Sequence, residues 1–166
     1  GKALSKKSFK REDVVLFTKA GHVIPHPGQP GVRVKHYNTS REHINKSVDN
    51  SLKRLQTDHI DIFLLNHLDR LSDIEETALT LQRLKDSGKI KNIGVVGFSV
   101  FQHQLLAASL RTQIVTNHIE LNLLNTSALD NGQVDFIKQK FMRPLATSPL
   151  AAGRIENGTD EQAIKV

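Results

Sequence analysis

The apolar run Ile60 to Leu65 ends in a cluster of polar groups, Asn66, His67, Asp69 and Arg70. An imidazole can exchange a proton near neutral pH, and a carboxamide can both donate and accept a hydrogen bond. A short apolar run bounded by polar residues has the pattern of a parallel strand buried on both faces, and such strands carry their chemistry just past their carboxyl ends. Chemistry is therefore expected at Asn66 and His67. A second arrangement to weigh is a metal site built from His22, His26, His36 and His67, which would suit a hydrolase. The first three lie in a Pro-rich loop without a recognised ligand spacing, so no metal is expected.

The elements that must position these groups recur along the chain. Val14 to Thr18 is a β-rich apolar run that ends at Lys19 and the breaker Gly21, which reads as a buried strand. His22 to Tyr37 holds Pro25, Pro27, Pro30, Gly28 and Gly31 without an apolar period, which reads as a long excursion from the end of that strand. Thr39 to Glu42 and Ser72 to Glu75 have capping-box spacing, as does Ser99 to Gln102, so each predicts a helix start. The stripes that follow are Ile44, Val48, Leu52 and Leu55; Ile74, Ala78, Leu81 and Leu84; and Phe101, Leu105, Leu106 and Leu110. Lys89 to Gly97, Ile114 to Asn117 and Pro144 to Ser148 read as further strands, with a helix over Val134 to Lys140. Strands alternating with helices at this spacing predict an α/β fold with a parallel sheet and helical crossovers, as an open doubly wound sheet or part of a barrel.

The 166 residues suit one domain with a sizeable core, and 38% hydrophobic content excludes disordered and fibrous classes. No apolar stretch approaches the roughly 20 residues that span a bilayer, and no signal-peptide pattern opens the sequence, so no membrane association is expected. There is no cysteine, which removes disulfides and thiolate sites and fits a reducing cytoplasm. The net charge of +6 is concentrated at Lys2, Lys6, Lys7, Lys10 and Arg11. No aromatic platform or nucleic-acid motif is interleaved with these charges, so they read as a solvated basic end rather than a nucleic-acid surface.

Four segments together carry a family resemblance. They are Val15-Leu-Phe-Thr-Lys19; Ser47 and Ser51-Leu52 with Leu55, Thr57-Asp58 and Ile60-Asp61; Leu84-Lys-Asp-Ser-Gly88-Lys-Ile-Lys-Asn-Ile-Gly-Val95; and Ser148-Pro-Leu-Ala-Ala-Gly153. In this order they resemble the aldo-keto reductase family over nearly the whole chain. The resemblance implies parallel (β/α) units of a TIM-type barrel, incomplete here with about five strands, as a single partial-barrel domain over residues 1–166. It corresponds to the family's third to seventh strands. A catalytic Tyr and Asp would lie before Gly1, and the eighth strand, which holds the adenosine 2′-phosphate, after Val166, so a fragment is expected.

The activity implied is NADPH-dependent reduction of a small-molecule carbonyl, in which a Tyr protonates the carbonyl oxygen while a Lys lowers the Tyr pKa and a His orients the substrate. Lys19 matches the family Lys. Asn66 stands at the His position, where its amide can still donate to a carbonyl, and His67 takes over only if the strand end bulges. His118 stands where the family has a Gln on the nicotinamide; Ser148, Leu150 and Gly153 match the loop over the pyrophosphate. Val96-Gly97 replaces the family's Ser-Asn, and Thr147 its stacking aromatic. These departures favour a rival expectation, a catalytically degenerate binding or regulatory protein on the same scaffold. By itself the chain is expected to lack turnover and to self-associate through open sheet edges.

Overall fold

The computed structural model describes residues 1–2, 4 and 10–156; the basic positions Lys6 and Lys7 lie outside the described residues. Five strands form one parallel sheet: β1 (Phe17–Ala20), β4 (Ile60–Asn66), β5 (Ile90–Val96), β6 (Ile114–Glu120) and β7 (Arg143–Thr147), adjacent in that order. A two-stranded antiparallel ribbon, β2 (His22–Val23) with β3 (His36–Tyr37), stands beside them. The crossovers carry α1 (Arg41–Leu55), α2 (Ile74–Asp86) and α3 (Val100–Ala108), and α4 (Ser127–Asp130) and α5 (Gln133–Gln139) precede the last strand.

The core lies between the helices and one face of the sheet. Ile44 and Val48 of α1, Leu81 of α2, Leu106 of α3 and Ile137 of α5 are fully buried together with Phe63, Leu65, Ile93 and Ile119 of the strands. Each large side chain so placed contributes about 1.5–3 kcal/mol relative to exposure, which outweighs the weak intrinsic helix propensity of a β-branched residue such as Ile44. The alternate strand residues face the concave side. Phe17 of β1 and His118 of β6 are separated by two intervening strands, so a flat sheet would hold them about 14 Å apart at ~4.8 Å per strand. Their ring centroids are 6.0 Å apart. The sheet is therefore strongly curled, as an arc of a barrel requires.

Gly94 fits this curl. A Cβ there would come within 2.6 Å of both Leu64 Cδ2 and Thr116 Cγ2, so side chains of the neighbouring strands close over it on the concave side.

Several sequence-based expectations are corrected. The first strand is Phe17–Ala20, which puts Lys19 inside it, and Val15 remains 64% exposed. The caps of α1 and α2 are Ser40 and Asp73, one residue beyond the expected Thr39 and Ser72. Thr39 and Ser72 instead hydrogen-bond each other at 2.6 Å, and Thr77 Oγ1 donates to the Thr39 carbonyl, so these hydroxyls tie the two helix starts together. The third capping box, Ser99 with Gln102, is as expected. The stripe of α3 is as expected only in part: Leu106 is buried and Leu110 packs against the core, but Phe101 and Leu105 are 81% and 51% exposed, and His103 faces the core instead. His103 packs edge-on to Phe136, an aromatic contact that the apolar pattern does not register. The excursion from His22 to Tyr37 is closed at its base by the β2–β3 ribbon and by the Asn38 amide donating to the Gly21 carbonyl at 2.7 Å.

Candidate active site

The strands leave the sheet at their carboxyl ends through left-handed backbone. Gly21 after β1, His67 after β4, Gly97 after β5 and Ser148 after β7 have φ of +119°, +61°, +68° and +51°. Gly21 is required by space as well, since a Cβ would come within 2.9 Å of the Asn66 carbonyl oxygen. For His67 and Ser148 this conformation costs about 1–2 kcal/mol each, a strain that concentrates at functional sites.

The expected site residues fall into two groups. On the concave face, Lys19 of β1 lies in register with Leu64 of β4, and its charge reaches His118 of β6. Burial, and then Lys19, lower the His118 pKa, so its imidazole is neutral at pH 7. Among the described residues, the buried His118 Nε2 has no hydrogen-bond partner. Asn66, half-buried, ends β4 in register with Val96, which itself pairs with His118. These three residues thus share the carboxyl-terminal end of the sheet.

The second group stands on the rim. The left-handed turn at His67 supplies the departure from strand alternation that a relocated imidazole needs, and it carries the ring over the exit of β5. A Cβ at Gly97 would fall within 2.6 Å of His67 Nδ1 and closer still to Cε1, so only glycine at 97 leaves room for this ring. Tyr37 packs on His67 and on His22, with ring centroids 5.2 Å from each. His67 therefore joins the ribbon residues.

Sequence reasoning missed Tyr37, which closes the Pro-rich segment and is the chain's sole tyrosine. Its one signal was a pair of β-formers, His22-Val23 and His36-Tyr37, bracketing the prolines. His22, His26, His36 and His67 do not form one cluster: His22 and His67 meet on Tyr37, while Nδ1 of His26 accepts from the Gly28 amide and Nδ1 of His36 pairs with the Val34 carbonyl. Among the described residues no group of three or more His, Cys, Asp or Glu is placed to hold a metal. Among them, too, no helix is long and apolar enough to cross a membrane.

Past β7, Ser148, Leu150 and Gly153 lie on a tight loop. The Ala151 amide donates to the Ser148 carbonyl and the Gly153 amide to the Leu150 carbonyl, and residues 151–153 all have positive φ. Ser148, Ala151, Ala152 and Gly153 are small, so a phosphate can come close to this turn, although the Ala151 and Gly153 amides are already engaged within it. The loop follows β7, at the opposite edge of the five-stranded sheet from Lys19. A nicotinamide nucleotide fits these residues at two places. The unpartnered His118 Nε2 suits the carboxamide, and the Ser148 to Gly153 loop suits the pyrophosphate. Val96, Gly97 and Thr147 bring neither a second polar clamp nor an aromatic ring.

Comparison with known proteins agrees with this architecture. The model of the aldo/keto reductase family matches residues 1–166. A 6-dehydroglucose reductase of Agrobacterium fabrum is 40% identical over 148 residues, which are 89% of this chain and 50% of that protein. The uncharacterized oxidoreductase YcsN of Bacillus subtilis is 38% identical over 167 residues, 99% of this chain and 56% of its own. The chain thus spans about half the length of the curated relatives it matches. Among solved structures, the glycerol dehydrogenase AKR11B4 from Gluconobacter oxydans superposes with a TM-score of 0.79 at 24% identity, covering 92% of this chain and 45% of that one. The aldo-keto reductase AKR11C1 from Bacillus halodurans gives 0.75 at 25% identity, over 93% and 48%. A curled parallel sheet with its polar residues gathered at the strands' carboxyl ends, and a family match along its whole length, place this chain in the aldo/keto reductase family, as an incomplete TIM-type barrel of five strands.

Proposed function

We propose that the protein is an NADPH-dependent carbonyl reductase of the cytoplasm, with its chemistry on the concave face at the carboxyl ends of β1, β4 and β6. The observation that carries this reading is that Lys19 of β1 and His118 of β6 share the concave face, where among the described residues His118 Nε2 has no hydrogen-bond partner. When bound, the nucleotide supplies the hydride. Lys19 supplies a fixed positive charge that stabilises a developing alkoxide or a neighbouring phenolate. The Asn66 amide donates a hydrogen bond to the substrate oxygen, which orients it without transferring a proton. His118 holds the carboxamide, and the backbone of Ser148, Leu150 and Gly153 receives the pyrophosphate. The 166 residues by themselves supply no Tyr on the concave face, so turnover requires the proton donor that the family carries on its earlier strands.

The test is NADPH binding, read by its fluorescence, together with carbonyl-dependent NADPH oxidation. NADPH binding about tenfold weaker in His118→Ala and, in a chain that also carries that proton donor, turnover at least 100-fold lower in Lys19→Met support the reading. Unchanged turnover in Lys19→Met sinks it.

A second reading is favoured by one observation, the His67 ring filling the space above Gly97 where a polar side chain would clamp a carboxamide. In it the scaffold binds ligands without hydride transfer. Tight NADPH binding with no oxidation by any aldehyde or ketone, in a chain that also carries the family's proton donor, would select it. For the 166 residues alone we also propose self-association, since Val15 and Phe17 at one sheet edge and Leu145 at the other stay exposed. A monomeric elution in size exclusion would count against that.

A further inference from the structure

His22, Tyr37 and His67 form a stack whose members come from β2, β3 and the exit of β4, seated on the bare backbone of Gly97. Lys35, exposed and two residues before Tyr37, is close enough for its charge to act on both imidazoles. Among the described residues no carboxylate contributes to either histidine: the charges acting on His22 are those of Lys35 and His67, and on His67 that of Lys35. Asp69, two residues beyond His67, is turned to the Leu71 amide at 3.0 Å. His36, in the same ribbon, pairs with the Val34 carbonyl. Among the described residues, the buried His22 Nε2 has no hydrogen-bond partner. A lysine, two imidazoles and a phenol without a neutralising acid offer several donors and net positive charge to one oxyanion.

We infer that this rim is an oxyanion subsite, built by His22, Lys35, Tyr37 and His67, which selects carbonyl substrates bearing a carboxylate or a phosphate. The inference rests on the reductase reading for its carbonyl but not for its anion. Burial, then the Lys35 charge, hold both histidines below their usual range. Both are thus neutral in the free protein at pH 7, and a bound anion recruits protons to them. Affinity for the anion therefore rises as pH falls, by up to about tenfold per pH unit for each proton taken up.

The experiment follows the imidazole resonances of His22, His67 and His118 by NMR in the isotope-labelled protein. The titrants are pyruvate, dihydroxyacetone phosphate, neutral dihydroxyacetone and inorganic phosphate. The expected result is that an anionic carbonyl raises the titration midpoints of His22 and His67, binds several-fold more tightly at pH 6 than at pH 7, and leaves dihydroxyacetone far behind. Pyruvate and dihydroxyacetone phosphate separate carboxylate from phosphate as the preferred anion. Lys35→Gln, at an exposed position, should weaken binding about fivefold without altering the fold; Gly97→Ala should displace His67 and abolish its response alone. Equal binding of dihydroxyacetone, or a midpoint indifferent to every anion, overturns the inference. Inorganic phosphate binding as tightly as either anionic carbonyl means an adventitious ion only and overturns it as well. NADPH fluorescence, read in the same samples, keeps the two readings apart. NADPH bound with unresponsive histidines sinks the subsite alone, and responsive histidines without NADPH binding sink the reductase reading alone.

Discussion

The two ends of the sheet treat their polar groups in opposite ways. At the amino end, Asp61 of β4 is surrounded by donors. Arg11 Nη2 approaches its carboxylate at 2.7 Å, the Leu16 amide donates to it at 2.9 Å, and Lys91 stands at 3.4 Å. Arg11 in turn donates to the carbonyls of Val14 and His59, so the segment entering β1 is pinned to the strand beside it. At the carboxyl end, Nε2 of both His22 and His118 lacks a partner among the described residues, and four strand exits run through left-handed backbone. One end spends its polar groups on the fold, and the other holds them back for a ligand. That division is expected of a (β/α) barrel, where the carboxyl face carries the chemistry and the amino face the stability.

The comparison breaks most visibly at Asp61. Asp61→Ala leaves Arg11 and the Leu16 amide without their acceptor in a half-buried setting, and we expect a loss of about 2–3 kcal/mol in urea unfolding with NADPH affinity unchanged. A fall in NADPH affinity to match would show that the two ends are not independent.

Acid should sharpen the contrast in two stages. His22, His43, His67, His103 and His118 all have lowered pKa values, with burial the largest cause in each. A depressed histidine contributes stability that is complete above its unfolded pKa of about 6.5 and is lost as pH falls through the folded value. Asp61 is also depressed: burial raises its pKa, but the Leu16 amide and Arg11 outweigh that. Its contribution is present above a pKa of about 3.9 and is lost below it. Melting temperature should therefore decline from pH 7 to 5 through the histidines, and His103→Phe, which removes the most buried imidazole, should flatten that slope. In Asp61→Ala the histidine stage should persist and the steeper loss below pH 4 should vanish.

At the carboxyl end the signs reverse. His118→Ala should change unfolding free energy by less than about 1 kcal/mol, because its Nε2 makes no bond to lose, while weakening NADPH about tenfold. A strongly destabilised variant with intact NADPH binding would assign His118 to the core. The smallest effect is expected at Ser148. Ser148→Gly relieves a left-handed residue at φ +51° and should stabilise by about 0.5 kcal/mol, the relief being partly offset by the entropy of glycine in the unfolded chain. Urea midpoints at constant slope would read it.

Much of this was legible in the residues because the signals are local. Apolar runs at 60–65 and 90–96 must be buried whatever surrounds them, and the Ser99 to Gln102 box closes within four residues, so strands, helices and their alternation follow from neighbours in sequence. Asn66 could be placed at a strand end for the same reason, whereas Lys19 and His118 were singled out through the family resemblance and lie within β1 and β6. Where two hydroxyls compete, only packing decides. Thr39 and Ser72 had cap spacing, yet each finds a better partner in the other, and Ser40 and Asp73 take the helix ends. Phe101 and Leu105 matched a helical period, but the direction of α3 over the sheet turned His103 inward instead. The sequence determined which residues are apolar, which can bend left-handed and which can exchange protons. Tertiary structure alone decided that Tyr37 meets His67 across 30 positions, that Gly97 leaves room for that ring, and that Phe17 approaches His118, because these contacts depend on the curl of the sheet and on no local pattern.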